Sequence, residues 1–255
     1  MTQSVDLNSD LGEGYGPWTM GDDAALMQVI TSANVACGGH AGDPDVMARA
    51  MGLAIENGVG IGAHPGFADR QGFGRRRLPL TRAEIVNLIR YQVGAAQGMA
   101  RALGGNLHHI KLHGALSNMA AEDANLAHDC YGAALAVAPE AILMAQAGTG
   151  MEEAAKSLGA AWAGEVFADR AYNTDATLVD RAIPGAVLRD PGEVAARVVE
   201  MVKTGGVPTI DGGRLDVAVD TICVHGDTSE AVSLAKAVRA GLQAAGITLA
   251  RFTGR

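Results

Sequence analysis

The sequence predicts one α/β domain, residues 1–255, folded as a closed, TIM-like (β/α) barrel of seven strands. Three observations predict it. Short apolar runs recur seven times along the chain and are mostly separated by helical patterns. The runs are nearly continuous in apolar character, which suits strands buried on both faces of a parallel sheet. The length of 255 residues is close to the ~250 typical of such barrels. An open doubly wound sheet is the alternative, but seven or eight parallel strands favour closure.

The elements follow in order. Val5 to Leu7 is the first apolar run and Ala33 to Ala36 the second. Asp43-Pro44 then supplies a helix N-cap with proline at the first helical position, where no N–H partner is needed. The stripe Val46, Met47, Ala50, Leu53 and Ala54 runs from there to a stop at Gly58. Val59 to Ala63 is the third run, and Thr81 and Glu84 have capping-box spacing ahead of Ile85, Leu88, Ile89 and Val93. Leu107 to Leu112, Ala141 to Ala145, Ala161 to Phe167 and Val217 to Val224 complete the seven runs. Asp227 and Glu230 repeat the acceptor spacing before a helix from Ala231 to Ala245, with Gly246 past its end. No Pro/Ser-rich linker, low-complexity tract or sequence repeat interrupts the alternation.

Composition narrows the function classes. A net charge of −8 opposes binding to nucleic acid or to an anionic membrane, both of which need a basic footprint. The single basic run, Arg75 to Arg77, is too short to reverse this. Three cysteines (Cys37, Cys130, Cys223) are an odd count without framework spacing, which favours a reducing compartment. MTQSVDLNSD lacks the basic and apolar regions of a secretory leader, and no run reaches the ~18 apolar residues that span a bilayer. A cytoplasmic protein is expected.

Chemically capable residues follow nearly every apolar run: Asn8, Asp10 and Glu13; Asn34, Cys37, His40 and Asp43; His64; Lys111 and His113; Glu165, Asp169 and Arg170; His225 and Asp227. In a parallel barrel these strand ends share one rim, so residues remote in sequence converge. Neighbouring carboxylates and cations there shift each other's pKa values and support proton transfer. Several have plainer readings. Asp43 is a helix cap first, and Asp227 divides evenly between cap and site. Cys37 beside His40 has a nucleophile's setting but reads more simply as a buried thiol, as does Cys223. His108 and His109 suit packing, and His128 a helix surface. Arg75 to Arg77 reads as a solvated face, although Phe73-Gly74-Arg75 can aim one guanidinium at an anion. Lys111 at a strand end needs a partner if buried. No G-x-x-x-x-G-K-[ST], no G-x-G-x-x-G after a strand and no G-x-S-x-G is present, so water activated by a carboxylate or histidine is the expected nucleophile.

These residues lie in segments that resemble the LamB/YcsF family, whose members form the A component of 5-oxoprolinase: DLNSDLGEG (6–14), SANVACGGHAGD (32–43), GVGIGAHPGF (58–67), GFGRR (72–76), KLHGAL (111–116), EVFADRAY (165–172) and VHGD (224–227). The seven blocks occur in order over nearly the whole chain. Leu112 and Ser117 depart from the family's usual Pro and Tyr, and Tyr15-Gly16-Pro17-Trp18-Thr19 follows Glu13 like an insertion. The resemblance implies a seven-stranded barrel related to glycoside hydrolases and deacetylases. It also implies one component of a heteromeric enzyme, with subunits B and C, that opens 5-oxo-L-proline to L-glutamate using ATP and Mg²⁺ completed by those partners.

On this reading Asp10, His40, His64, Lys111 and His113 carry catalysis. Asn8, Glu13, Arg75, Asp169, Arg170 and His225 bind substrate. Water adds with base help from Asp10 or His113, Lys111 neutralises charge on oxygen, and Arg75 or Arg170 pairs with the substrate carboxylate. A rival is a metal-dependent deacetylase or amidohydrolase acting without ATP, with Asp10, His40 and His64 as ligands. Another is a non-catalytic lactam-binding subunit.

Overall fold

In β1 (Ser4–Leu11) the strand period of two sends Val5, Leu7 and Leu11 to one face and Asp6, Asn8 and Asp10 to the other. The computed structural model, which describes residues 3–226 and 230–255, shows the polar face turned into a closed barrel. β2 (Ser32–Ala36), β3 (Gly60–His64), β4 (Leu107–Lys111), β5 (Ile142–Gln146) and β6 (Trp162–Phe167) follow in spatial order, each parallel to the last. A hairpin of β7 (Gly206–Pro208) and β8 (Arg214–Asp216) stands outside the barrel. β9 (Thr221–Val224) then closes the ring, with Thr221 in register with Glu165 of β6 and with Asp6 of β1. A two-residue strand, β10 (Thr248–Leu249), adds to the start of β1.

The outer layer is α1 (Asp23–Met27), α2 (Pro44–Glu56), α3 (Arg82–Ala102), α4 (Gly114–Glu122), α5 (Ala124–Leu135), α6 (Gly150–Ser157), α7 (Pro191–Thr204) and α8 (Ala231–Ala244). Among the described residues, no helix is long and apolar enough to cross a membrane. Local chemistry sets the helix starts. Asp43 accepts from the amides of Asp45 and Val46, both at 2.9 Å, and Thr81 and Glu84 make the reciprocal capping box. Asp190-Pro191 opens α7 as Asp43-Pro44 opens α2, with Asp190 accepting from the Glu193 amide at 2.8 Å. The proposed acceptor Asp227 lies outside the described residues. Glu230, the cap of α8, makes no side-chain cap hydrogen bond.

Two expectations change. The seventh strand starts at Thr221, not Val217: Asp220 turns the chain into the barrel by exchanging hydrogen bonds with the backbone of Gly164, at 2.9 Å through its amide and 2.8 Å through its carboxylate. The polar residues also do not simply follow the strands. Asn8, Asp10, Asn34, Lys111 and Glu165 lie within strands and fill the barrel interior. This is tolerable because they satisfy one another. Asp6 accepts from Thr31 Oγ1 (2.6 Å) and Ser32 Oγ (2.7 Å). One layer higher, His109 donates to Asn34 Oδ1 at 2.7 Å, and Asn34 donates to Asn8 and Asp10, both at 2.8 Å. Gly62 makes room for that imidazole, since a Cβ there would stand 2.0 Å from His109 Nε2.

Candidate active site

The C-terminal rim of the barrel opens into a cavity of about 610 Å³. At its floor, strand alternation brings Asp10 from β1, Lys111 from β4 and Glu165 from β6 together. Lys111 Nζ lies 2.8 Å from Asp10 Oδ1, 2.8 Å from Glu165 Oε1 and 3.0 Å from Cys223 Sγ. Burial works against the ammonium, but the Asp10 and Glu165 carboxylates outweigh it and hold the amine well above its ordinary value. Burial likewise opposes the Asp10 carboxylate, yet His64 and Lys111 keep it well below the usual range. Lys111 therefore rests as a cation and Asp10 as an anion. Burial drives the Cys223 thiol well upward, so it meets Lys111 as a neutral acceptor.

Above this floor, three histidines from three strand ends meet. His64 Nε2 stands 3.0 Å from His113 Nδ1 and 3.4 Å from Asp10 Oδ2. His40 stacks on His113 with ring centroids 3.5 Å apart and faces Glu13 Oε1 at 3.1 Å. Burial pushes His40 and His113 well below the ordinary imidazole value, keeping both neutral. One ligand atom from each of Glu13, His40, His64 and His113 falls within 4.8 Å of the others, so this quartet can hold a metal ion. Asp10, an expected ligand, lies beside the quartet rather than in it.

Loops and one helix hold these rings. Gln92 of α3 grips both sides of the Gly66 peptide, accepting from its N–H at 3.1 Å and donating to its carbonyl at 2.7 Å, just after His64. Phe73 (φ +53°) packs edge-on against His40 and His113, and its carbonyl accepts from His113 Nε2 at 2.8 Å. The adjacent Gly74 (φ +63°) passes so near that a Cβ would lie 2.7 Å from His40 Cβ. This is why the glycine-rich GFG turn belongs to the site.

Asp10, Glu13, His64, Arg75, Lys111, His113, Arg170 and His225 line the cavity. Asn8, His40 and Asp169 stand behind that lining. Asn8 bonds to Thr221 Oγ1 (2.7 Å) and Asn34, and Asp169 accepts from His225 Nδ1 at 2.9 Å. Arg170 is buried, and its guanidinium is directed to the carbonyls of Val179 (2.6 Å) and Ala186 (3.4 Å). Desolvation lowers it to about 10. Cys37 is buried against the Val35 carbonyl at 3.3 Å, and burial pushes its thiol up to about 12, unsuited to a nucleophile. Arg76 and Arg77 pair with Asp69 and Glu122, whereas Arg75 extends over the Phe73 ring, 4.9 Å from its centroid. His128 is exposed on α5, as expected.

The sequence places Glu165 among the rim residues without a role, and it does not single out Gln146, Phe167, Cys223 or Arg181 for the site. Gln146 carried a usable signal, being a polar residue at the end of a strand. Cys223 was hidden by its apolar neighbours. Arg181, which donates to His225 Nε2 at 3.0 Å, comes from a loop with no strand-end signature.

The same architecture occurs in known proteins. A solved structure of a lactam utilization protein from Thermus thermophilus superposes with a TM-score of 0.92 at 40% identity, covering 98% of this chain and 100% of that one. A β-1,4-mannanase matches at TM-score 0.54 with 11% identity over 94% of this chain and 99% of its own, a likeness of fold alone. Relatives named as the A component of 5-oxoprolinase include one from Ruegeria pomeroyi, 56% identical over 97% of this chain and 98% of its own, and one from Rhodopseudomonas palustris, 52% identical over 98% and 99%. The model of the LamB/YcsF family matches residues 5–255. With fold, strand-end residues and full-length similarity in agreement, the chain belongs to the LamB/YcsF family.

Proposed function

We propose that this chain is the lactam-binding component of an ATP-dependent 5-oxoprolinase, a hydrolase that opens 5-oxo-L-proline to L-glutamate together with partner subunits B and C. The observation that carries the reading is the cavity of about 610 Å³, floored by Lys111 between Asp10 and Glu165, in a chain 56% identical along its length to a protein named as the A component of 5-oxoprolinase.

A five-membered lactam is an unstrained amide that recloses after opening, so net hydrolysis needs coupling to ATP. Phosphorylation of the amide oxygen makes the ring carbon electrophilic. Water then adds to that carbon and gives up a proton, the ring nitrogen gains one as the C–N bond breaks, and a second water releases the phosphoryl group of the resulting acyl phosphate as inorganic phosphate. Asp10 and His113 face the cavity and are the proton acceptors within reach. The Lys111 ammonium offsets negative charge developing on oxygen. Arg75 receives the substrate carboxylate, while Arg170 holds the Val179 to Ala186 loop. Asn8, Asp169 and His40 act through Lys111, His225 and Glu13 respectively. Mg²⁺-ATP reaches the cavity from the partner side.

The test is glutamate release by the complex reconstituted with Mg²⁺-ATP. ATP-dependent release supports the reading. Release that ignores ATP and requires a bound transition metal moves the assignment to a metal-dependent amidohydrolase.

A further inference from the structure

The hydrogen bonds around His64 and His113 fix which ring nitrogens carry hydrogen. His64 Nδ1 lies 2.9 Å from the Lys111 carbonyl, and His113 Nε2 lies 2.8 Å from the Phe73 carbonyl. A carbonyl oxygen only accepts, so both of these nitrogens are protonated. When both rings are neutral the opposite atoms, His64 Nε2 and His113 Nδ1, are bare lone pairs 3.0 Å apart, and Asp10 Oδ2 lies 3.4 Å from the former. Two acceptors at that distance repel unless a positive centre lies between or beside them.

Glu13 adds a carboxylate oxygen 3.8 Å from His113 Nδ1. These spacings bracket the ~3.4 Å edge of a tetrahedron whose ligands sit ~2.1 Å from a metal. His64, His113 and Glu13 also line the cavity, which leaves an open coordination position toward solvent. His40 Nε2 reaches Glu13 Oε1 at 3.1 Å from a fully buried ring. The arrangement is that of a metal site: imidazoles oriented by carbonyls on their far nitrogens, and a carboxylate held by a further group.

We infer that His64 Nε2, His113 Nδ1 and Glu13 bind one divalent transition-metal ion of the zinc class, with His40 as the residue that positions Glu13. Two imidazoles select zinc-like ions over Mg²⁺ or Ca²⁺, which prefer all-oxygen sites. Occupied, the site engages His113 Nδ1 and leaves proton acceptance to Asp10. The donor atoms hold the ion whether or not lactam hydrolysis takes place there. Absent metal binding leaves the proposed reaction standing, and an inactive complex leaves a measured metal site standing.

The experiment reads metal rather than turnover. The full-length chain is purified without chelator, stripped, and titrated with Zn²⁺ by calorimetry and with Co²⁺ by absorption, with Mg²⁺ as competitor. The expected result is one Zn²⁺ per chain, no competition by Mg²⁺, and a Co²⁺ spectrum of four- or five-coordinate geometry. Glu13→Gln and His64→Asn each weaken binding by about 100-fold or more, His40→Gln by about 10- to 100-fold, and His128→Ala leaves it unchanged. Long-range ¹H–¹⁵N spectra of the wild-type histidines provide a readout that needs no variant, with Zn²⁺ shifting one nitrogen each of His64 and His113. Failure of the wild type to bind stoichiometric Zn²⁺ overturns the site and leaves a proton shared by the two rings. So does binding that survives Glu13→Gln combined with His64→Asn.

Discussion

Asp10 sits where two networks meet: the Lys111 ion cluster below it and the histidines above. Replacing it by Asn keeps an acceptor for Asn34, and Lys111 retains Glu165 as a counter-charge. Asp10→Asn should therefore fold and lose at least ~10²-fold in turnover, the scale of a lost acid–base group. Wild-type turnover in the reconstituted complex would remove Asp10 from the chemistry. Lys111→Ala is harsher, because it leaves Asp10 and Glu165 buried without their cation, a loss of about 3–5 kcal/mol. A second residue-scale prediction concerns Asp6, on the same strand but deeper in the barrel. Burial raises its pKa from 3.8 to about 6, despite the hydroxyls of Thr221, Thr31 and Ser32. The folded state thus retains a proton that the unfolded chain loses from pH ~4 upward. The associated stability is complete below the unfolded value and is lost as pH rises through about 6, a total of about 3 kcal/mol for a fully buried group. In Asp6→Asn the decline between pH 4 and 6.5 should shrink by that amount in urea titrations. An unchanged pH profile would assign the decline to other groups.

At the scale of elements, α3 does two separable jobs. Its start depends on the exposed Thr81–Glu84 capping box. Thr81→Ala should lower stability by about 1 kcal/mol and leave turnover intact, which denaturant midpoints and steady-state kinetics can establish together. Its middle holds the site, because Gln92 satisfies both the donor and the acceptor of the buried Gly66 peptide beyond β3. Gln92→Leu strands both groups at about 1–3 kcal/mol each and frees the segment that carries His64. The expected signature is a lower thermal midpoint together with a fall in kcat larger than any change in KM. A variant that loses stability alone would make Gln92 structural only.

For the molecule as a whole, closure of β9 onto both β6 and β1 leaves the seven-stranded ring without a free edge. It also gathers the cavity-lining residues at one open end. Under the proposed function, the ATP chemistry is assembled with partners over that rim. A partner closing there also excludes water from an activated intermediate. The isolated chain given Mg²⁺-ATP and 5-oxoproline should release glutamate at no more than background rate, and the full complex should release it steadily. Robust ATP-dependent release by the chain alone would show that the site is complete without partners.

What the sequence determined by itself was whatever depends on near neighbours along the chain. The apolar runs located the strands, Asp43-Pro44 and Thr81-x-x-Glu84 located two helix starts, and several of the polar residues after the runs line the cavity. Period-two alternation alone placed Lys111 and His113 on one side of the chain, and both line the cavity. Only the tertiary structure decided which residues meet. Glu13 and His113 are 100 positions apart in sequence yet 3.8 Å apart in space, and that contact depends on the register of the intervening turns and strands. It also decided protonation. Whether His64 presents a donor or a lone pair to the cavity is set by the Lys111 carbonyl 47 residues away, and Cys223, unremarkable within its apolar strand, became a partner of Lys111 only when β9 closed the barrel. Electrostatic character belongs to the arrangement of charges and burial around a group, and no local stretch of sequence contains that arrangement.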